Sequence, residues 1–247
     1  REYAYATQCF ELATIKQVIK FFVEKTQLPP DSEIKMSIPK IQESTTYCWK
    51  PEEVKALFEL CEQLELTWLE HVLKGLAYTG MRISELANLH WSDLDFVNNK
   101  ISLTDESRQK KIKGRSQRTI KSGYSRSFPI HPELLEILKS IERQEDSYVF
   151  HGVRGGKIKP DVVRTVLFRD LLKPLAKQFP SPGSDAGFID GRLHSFRHYF
   201  CSVCADDNVS ERILMDWLGH KDSKMITRYY HLNEKTSHEQ MSKVRII

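Results

Sequence analysis

The chain has 247 residues, 40% of them apolar and 28% charged, with 37 Lys and Arg against 33 Asp and Glu for a formal net charge of +4. That content suffices for one sizeable core and a smaller second one, so one or two domains are expected, and no run of about eighteen apolar residues offers a membrane span. The opening Arg1-Glu2-Tyr3-Ala4-Tyr5 lacks the hydrophobic stretch of a secretion signal and, starting without Met, fits a fragment, while five scattered cysteines (Cys9, Cys48, Cys61, Cys201, Cys204) argue for reduced thiols inside a cell rather than a disulfide framework.

Residues 10–26 carry Leu12, Ile15, Val18, Ile19 and Phe22 at helical spacing, and Leu28-Pro29-Pro30 ends the repeat. The stretch 29–46, rich in Pro, Ser and charge, reads as a linker. Pro51 suits a first helical position, with Val54, Leu57, Phe58, Cys61 and Leu64 along one face of the helix that follows. A second helix is expected over 68–78. Thr79-Gly80 breaks the chain before a third, in which Ile83, Leu86 and Leu89 face inward and Arg82, in the first turn, faces outward. Read alone, Arg82 and Glu85 are a surface ion pair.

Short alternation and turn residues over 92–96, 100–103 and 118–121 predict antiparallel strands. Between residues 107 and 130 lie eight basic side chains, Arg108, Lys110, Lys111, Lys113, Arg115, Arg118, Lys121 and Arg126, and no acidic one, a composition suited to a phosphate-facing surface or to a solvated hairpin tip. His131-Pro132 starts a helix with Leu134, Leu135, Ile137 and Leu138 buried, and another runs over 162–177. A Pro/Gly/Ser loop over 178–190 leads to His194-Ser195-Phe196-Arg197, where three-residue spacing puts His194 and Arg197 on one helical face and His198 on another, read as a packing or capping residue. Cys201-Ser202-Val203-Cys204 has no second ligand pair and reads as packed helix. That helix should stop near Asp207-Asn208. Ser210 then caps a helix bearing Ile213, Leu214, Trp217 and Leu218, which ends at Gly219 just before His220. Tyr229 and Tyr230 follow, pointing about one hundred degrees apart on a helix.

The ordered set Thr79-Gly80-Met81-Arg82-Ile83-Ser84-Glu85-Leu86, a hairpin lysine, His194-Ser195-Phe196-Arg197, Leu218-Gly219-His220 and Tyr229 resembles the tyrosine recombinase family of phage integrases and Xer-type resolvases, over roughly residue 46 to the C-terminus. The resemblance implies a mainly α fold with a small antiparallel β-sheet: a catalytic domain over 46–247, preceded over 1–45 by the C-terminal helix and linker of a truncated helical core-binding domain. It also implies catalytic roles for Arg82, Lys121, His194, Arg197, His220 and Tyr229. Lys110, Lys111 and Lys113 compete for the lysine role, and Tyr230 for that of the nucleophile. Lys110, Lys111, Lys113, Arg115, Arg118 and Arg126 would contact DNA.

The implied activity is site-specific DNA recombination or integration through a covalent 3′-phosphotyrosine, without metal, cofactor or ATP. Two arginines would clamp the phosphodiester oxygens, His194 would take or relay the tyrosine proton, His220 would hydrogen-bond the phosphate, and Lys121 would protonate the departing 5′ oxygen. The implied partners are double-stranded DNA and further copies of the chain in a synaptic tetramer, with the apolar end Val244-Arg245-Ile246-Ile247 available for docking; the implied location is the cytoplasm, at the nucleoid, and no membrane is involved. The alternatives are type IB topoisomerase-like relaxation, non-catalytic DNA binding, and a metal-dependent nuclease, for which the sequence shows no carboxylate cluster.

Overall fold

The computed structural model describes residues 3–38, 46–106, 125–181, 186–219, 226, 229 and 230, which fall into two units, 1–45 and 46–247. In the first unit α1 (Tyr5–Glu24) starts five residues before the apolar repeat. Its end is tied by the Gln27 N–H to the Phe22 carbonyl at 2.9 Å, with Thr26 at φ 56 in the left-handed region. Lys16 Nζ reaches the Met36 carbonyl at 2.8 Å, and a 3-10 turn occupies Pro30–Ser32.

The second unit opens on α2 (Pro51–Gln63), with Pro51 at its first position. Glu53 receives the Lys50 N–H and the Tyr47 hydroxyl, both at 2.8 Å, so the helix start is capped from two sides. Helix α3 (Thr67–Thr79) follows and buries Leu69, Val72, Leu73 and Leu76. It is closed by Gly80, whose N–H bonds the Leu76 carbonyl at 2.9 Å. Gly80 has φ 60, and a Cβ there would stand 2.5 Å from the Phe200 ring and 2.8 Å from Leu218, so both conformation and close approach demand glycine.

Past this turn the expected third helix is a single turn, α4 (Ile83–Leu86), and Arg82 is its N-cap rather than a member of its first turn. Strands β1 (Leu94–Asp95), β2 (Lys100–Leu103) and β3 (Arg126–Pro129) form an antiparallel sheet in that order, with Ile101 opposite Phe128 and Leu103 opposite Arg126. The expected strand over 118–121 lies outside the described residues. Residues 126–129, for which no strand is expected, form the third strand, because pairing with β2 supplies the ladder that local sequence does not announce.

Helix α5 (Pro132–Ser140) starts as expected, the His131 ring accepting the Glu133 N–H at 3.3 Å. The helix expected over 162–177 is α6 (Pro160–Val166), a π-helical stretch at Leu167–Leu172 and α7 (Lys173–Leu175). Pro174, which lacks an N–H, removes one α-helical bond where the ladder shifts. Helix α8 (Ser195–Asp206) ends at Asp207, with Asn208 at φ 60, and α9 (Glu211–Leu218) runs from a Ser210 cap to Gly219 at φ 64. The main core joins α2, α3, the sheet and the buried Phe196 of α8; a second cluster of Cys201, Cys204, Leu214, Leu218 and Ile226 joins α8 to α9. Cys201 and Cys204 thus pack as small apolar residues, and burial pushes both thiols up to about 12.

Candidate active site

Three chain segments meet where α3 turns into α4. Thr79 prepares the turn: its hydroxyl donates to the Gly75 carbonyl at 2.6 Å and accepts the Met81 N–H at 3.2 Å. Arg82 then leaves the turn in extended conformation, φ −72 and ψ 147, with its N–H on Glu85 Oε2 at 3.0 Å and its Nη1 on Glu85 Oε1 at 3.2 Å. Its side chain stays 22% exposed, so the guanidinium is aimed by Glu85 while keeping access to solvent.

Arg197 enters from α8 with 1% exposure, although the three-residue spacing from His194 pointed to a common face with that exposed histidine. Helical phase places the Cα atoms, and the length of the arginine decides where the charge goes. The Arg197 Nη1 donates to the Gly80 carbonyl at 2.6 Å and Nη2 to the Leu218 carbonyl at 2.9 Å. One guanidinium therefore pins the end of α3 to the end of α9. Burial, and then the nearby Arg82 charge, pulls Arg197 down to about 10, against the opposing pull of Glu85. It remains cationic at neutral pH. The Arg82 charge beside Arg197 makes the turn a concentration of positive charge, the field that a phosphodiester anion would meet.

The Arg192 N–H donates to Ser195 Oγ at 3.0 Å and ties the entry to α8, whose N-cap is His194. The His194 and His198 rings lie edge to face, 5.0 Å apart. His198 is 5% exposed, and its Nδ1 contacts the Tyr229 hydroxyl. Sequence reasoning read His198 as packing; it is buried, yet it also holds the phenol of the expected nucleophile. The signal was faint, since His198 stands four residues from His194 on the same helix, one turn deeper.

Tyr229 packs on the second cluster, as does Tyr230. The Tyr230 hydroxyl donates to the Val209 carbonyl at 2.5 Å, and burial, ahead of nearby Cys204 and Cys201, pushes its phenol up to about 12. The pair therefore divides its duties: Tyr230 is tied to backbone and Tyr229 is turned to His198.

Arg126 requires a correction. Expected to face phosphate, it has a side chain only 4% exposed and lies on the inner face of β3, with Nη1 and Nη2 on Glu85 at 3.2 and 2.8 Å and Nε on the Trp217 carbonyl at 2.9 Å. The clue lay in period-two alternation, which puts Arg126 on the same strand face as Phe128 and Ile130. Lys121, His220, Lys110, Lys111, Lys113, Arg115 and Arg118 lie outside the described residues. A cavity of about 400 Å³, lined by Tyr78, His131, Phe200, Val203 and Trp217 among others, includes none of Arg82, His194, Arg197 or Tyr229.

The α+β unit thus brings Arg82 and Arg197 to one turn and holds the Tyr229 hydroxyl on His198 of the same helix that carries Arg197. Residues 49–236 match the phage integrase family, and the chain belongs to it. It is 26% identical over 236 residues to the tyrosine recombinase XerC of Staphylococcus carnosus (strain TM300), covering 95% of this chain and 72% of that protein. It is 23% identical over 237 residues to the integrase of Salmonella phage P22, spanning 95% of this chain but only 57% of that protein. The fold is that of the Tn1549 transposon integrase in complex with transposon right end DNA, with TM-score 0.72 at 18% identity over 98% of this chain and 80% of that one. A lambda integrase tetramer bound to a Holliday junction aligns with TM-score 0.65 at 15% identity over 89% of this chain and 57% of that one.

Proposed function

We propose that this protein is a tyrosine-type site-specific recombinase, cutting and rejoining double-stranded DNA through Tyr229. The observation that carries the reading is the convergence of Arg82 and Arg197 on one turn, with the Tyr229 hydroxyl held by His198 across α8. A phenol is a poor nucleophile near neutral pH, with an ordinary pKa of about 10, so it needs both a proton acceptor and a cationic pocket.

In the first step the Tyr229 oxygen attacks phosphorus and the bond from phosphorus to the 5′ oxygen breaks. The phenol proton passes to the histidine pair: His198 touches the hydroxyl, and exposed His194 lies one ring further out to relay it. Arg82 and Arg197 stabilise the charge that grows on the phosphoryl oxygens, the largest contribution to such catalysis. Lys121 protonates the departing 5′ oxygen and His220 hydrogen-bonds the phosphate. The product is a 3′-phosphotyrosine and a free 5′ hydroxyl. A 5′ hydroxyl from a second strand then attacks the same phosphorus and releases Tyr229, and the ester conserves the phosphodiester energy without ATP.

The DNA complexes of the transposon and lambda integrases support double-stranded DNA as the substrate, and the lambda tetramer supports a synaptic tetramer of this chain on it. Residues 1–45 would be the last helix and linker of a core-binding domain, and 46–247 the catalytic domain. Lys110, Lys111, Lys113, Arg115 and Arg118 supply the phosphate contacts, a role the inward position of Arg126 denies it. Action on DNA would favour a location in the cytoplasm at the nucleoid. No described helix is long and apolar enough to cross a membrane.

The test is incubation of the wild type and Tyr229→Phe with fragmented genomic DNA of the source cell, followed by denaturation. Covalent adducts from the wild type alone, mapped by mass spectrometry to Tyr229, are expected, and sequencing the attached DNA identifies the site. Adducts that persist in Tyr229→Phe would move the nucleophile to Tyr230, and exchange between two sites rather than simple relaxation of supercoils distinguishes recombination from topoisomerase action.

A further inference from the structure

Arg126 sits on the buried face of β3 and makes three directed bonds in the interior. Its two terminal nitrogens take both oxygens of Glu85, at 3.2 and 2.8 Å, and its Nε takes the Trp217 carbonyl in the last turn of α9, at 2.9 Å. Glu85 is the same carboxylate that receives the Arg82 N–H and Nη1. The arginine stem also lies against the helix end, its Cδ 3.0 Å from where a Cβ on Gly219 would stand, so the glycine that ends α9 leaves room for it. Strand, carboxylate and helix end thus meet at one guanidinium.

We infer that Arg126 is a positioning residue for the strand-transfer site: from β3 it fixes Glu85, the carboxylate that aims Arg82, to the end of α9, from which the chain runs on to His220 and Tyr229. The inference rests on the recombinase reading above. Burial raises the cost of an ionised Glu85, but the Arg126 hydrogen bonds and charge, joined by those of Arg82, outweigh it and hold the carboxyl below its usual range. Glu85 therefore stays an anion and keeps its grip on Arg82. Only a planar fork can serve two carboxylate oxygens and a carbonyl at once; a lysine ammonium offers the charge without the span. Arg197 ties Leu218 to Gly80 one residue away, so the end of α9 is held from two sides, by Arg197 to the α3 turn and by Arg126 to the sheet and to Glu85.

The test uses the full chain with fragmented genomic DNA of the source cell and measures DNA retention and the single-turnover rate of adduct formation at saturating DNA. Four proteins are compared: wild type, Arg126→Lys, Arg126→Met and the double variant Arg126→Met/Glu85→Gln, with Tyr229→Phe as the blank. Misplacing a reacting group by an ångström costs on the order of a hundredfold in rate, so Arg126→Lys should retain DNA as the wild type does while forming adducts about tenfold to a hundredfold more slowly. The double variant, which removes the buried carboxylate charge that has lost its Arg126 fork, should regain thermal stability without regaining rate. A rate within about twofold of wild type in Arg126→Lys would overturn the inference. So would a loss confined to DNA affinity, with a salt slope reduced by about one, the mark of a direct phosphate contact. Rate and stability recovering together in the double variant would reduce Arg126 to a folding role and overturn it as well. Absence of Tyr229-dependent adducts from the wild type would remove the recombinase reading, and this inference with it.

Discussion

Arg197 and Arg126 are both buried guanidiniums, and they are buried in opposite ways. Arg197 is held by two backbone carbonyls, Gly80 and Leu218, which orient it without cancelling its charge. Arg126 faces a carboxylate, Glu85, at 2.8 Å, and its charge is neutralised where it stands. A group meant to act on an anion keeps its field; one meant to hold the frame gives it up. The difference appears in energetics, since burial pulls Arg197 down to about 10 while Glu85 is driven below its usual range by its arginines. The Arg197 charge at the α3 turn is thus costly to the fold and is not cancelled by its carbonyl partners, whereas Arg126 shares with Arg82 the carboxylate that neutralises it.

The largest expected effect lies on the Arg197 side. Arg197→Lys keeps a cation but cannot serve both carbonyls and a phosphate oxygen, so adduct formation at saturating DNA should fall by about a hundredfold or more, the usual consequence of losing one donor to a developing oxyanion. An unchanged rate would show that the carbonyl-held charge is structural. On the other side, Arg126→Met leaves Glu85 buried, and a broken buried pair costs about 3–5 kcal/mol. Denaturant unfolding should record that loss and its recovery when Glu85→Gln is added.

The same pair predicts a pH dependence. The folded protein holds the Glu85 carboxyl below its ordinary 4.5, so the unfolded chain takes up that proton first as pH falls. Its stabilisation is complete above about 4.5 and drains away as pH drops through the lowered folded value. Acid unfolding followed by circular dichroism should therefore be shallower in Arg126→Met/Glu85→Gln than in the wild type, and parallel curves would deny the coupling. The smallest effect concerns the neighbouring tyrosines. Tyr230→Phe loses the bond to the Val209 carbonyl, worth about 1 kcal/mol, and should lower the melting temperature while leaving Tyr229 adducts in place.

How much of this could be read from sequence follows the range of each interaction. Helix limits came from local chemistry: Pro51 and Pro132 at first positions, the Ser210 cap whose Oγ accepts the Ile213 N–H at 3.4 Å, and Gly219 in the left-handed region are decided by atoms within a few residues. The start of α4 differs from the reading because Glu85 takes the Arg82 N–H, which makes the extended Arg82 the N-cap. Strand β3 was missed because its partner, β2, is 23 positions or more away in sequence. Arg126 was misassigned because a basic cluster says nothing of which member turns inward.

The residue set Arg82, His194, Arg197 and Tyr229, its order and the family it points to were determined by the sequence alone, since side-chain chemistry and spacing are written there. Only the tertiary structure decided that Arg197 would be gripped by the ends of α3 and α9, that His198 would meet Tyr229, and that Arg126 would serve Glu85 instead of DNA. Those contacts join residues 21 to 117 positions apart. Nothing local fixes them, because burial and hydrogen-bond satisfaction are settled by what the rest of the fold brings to each side chain.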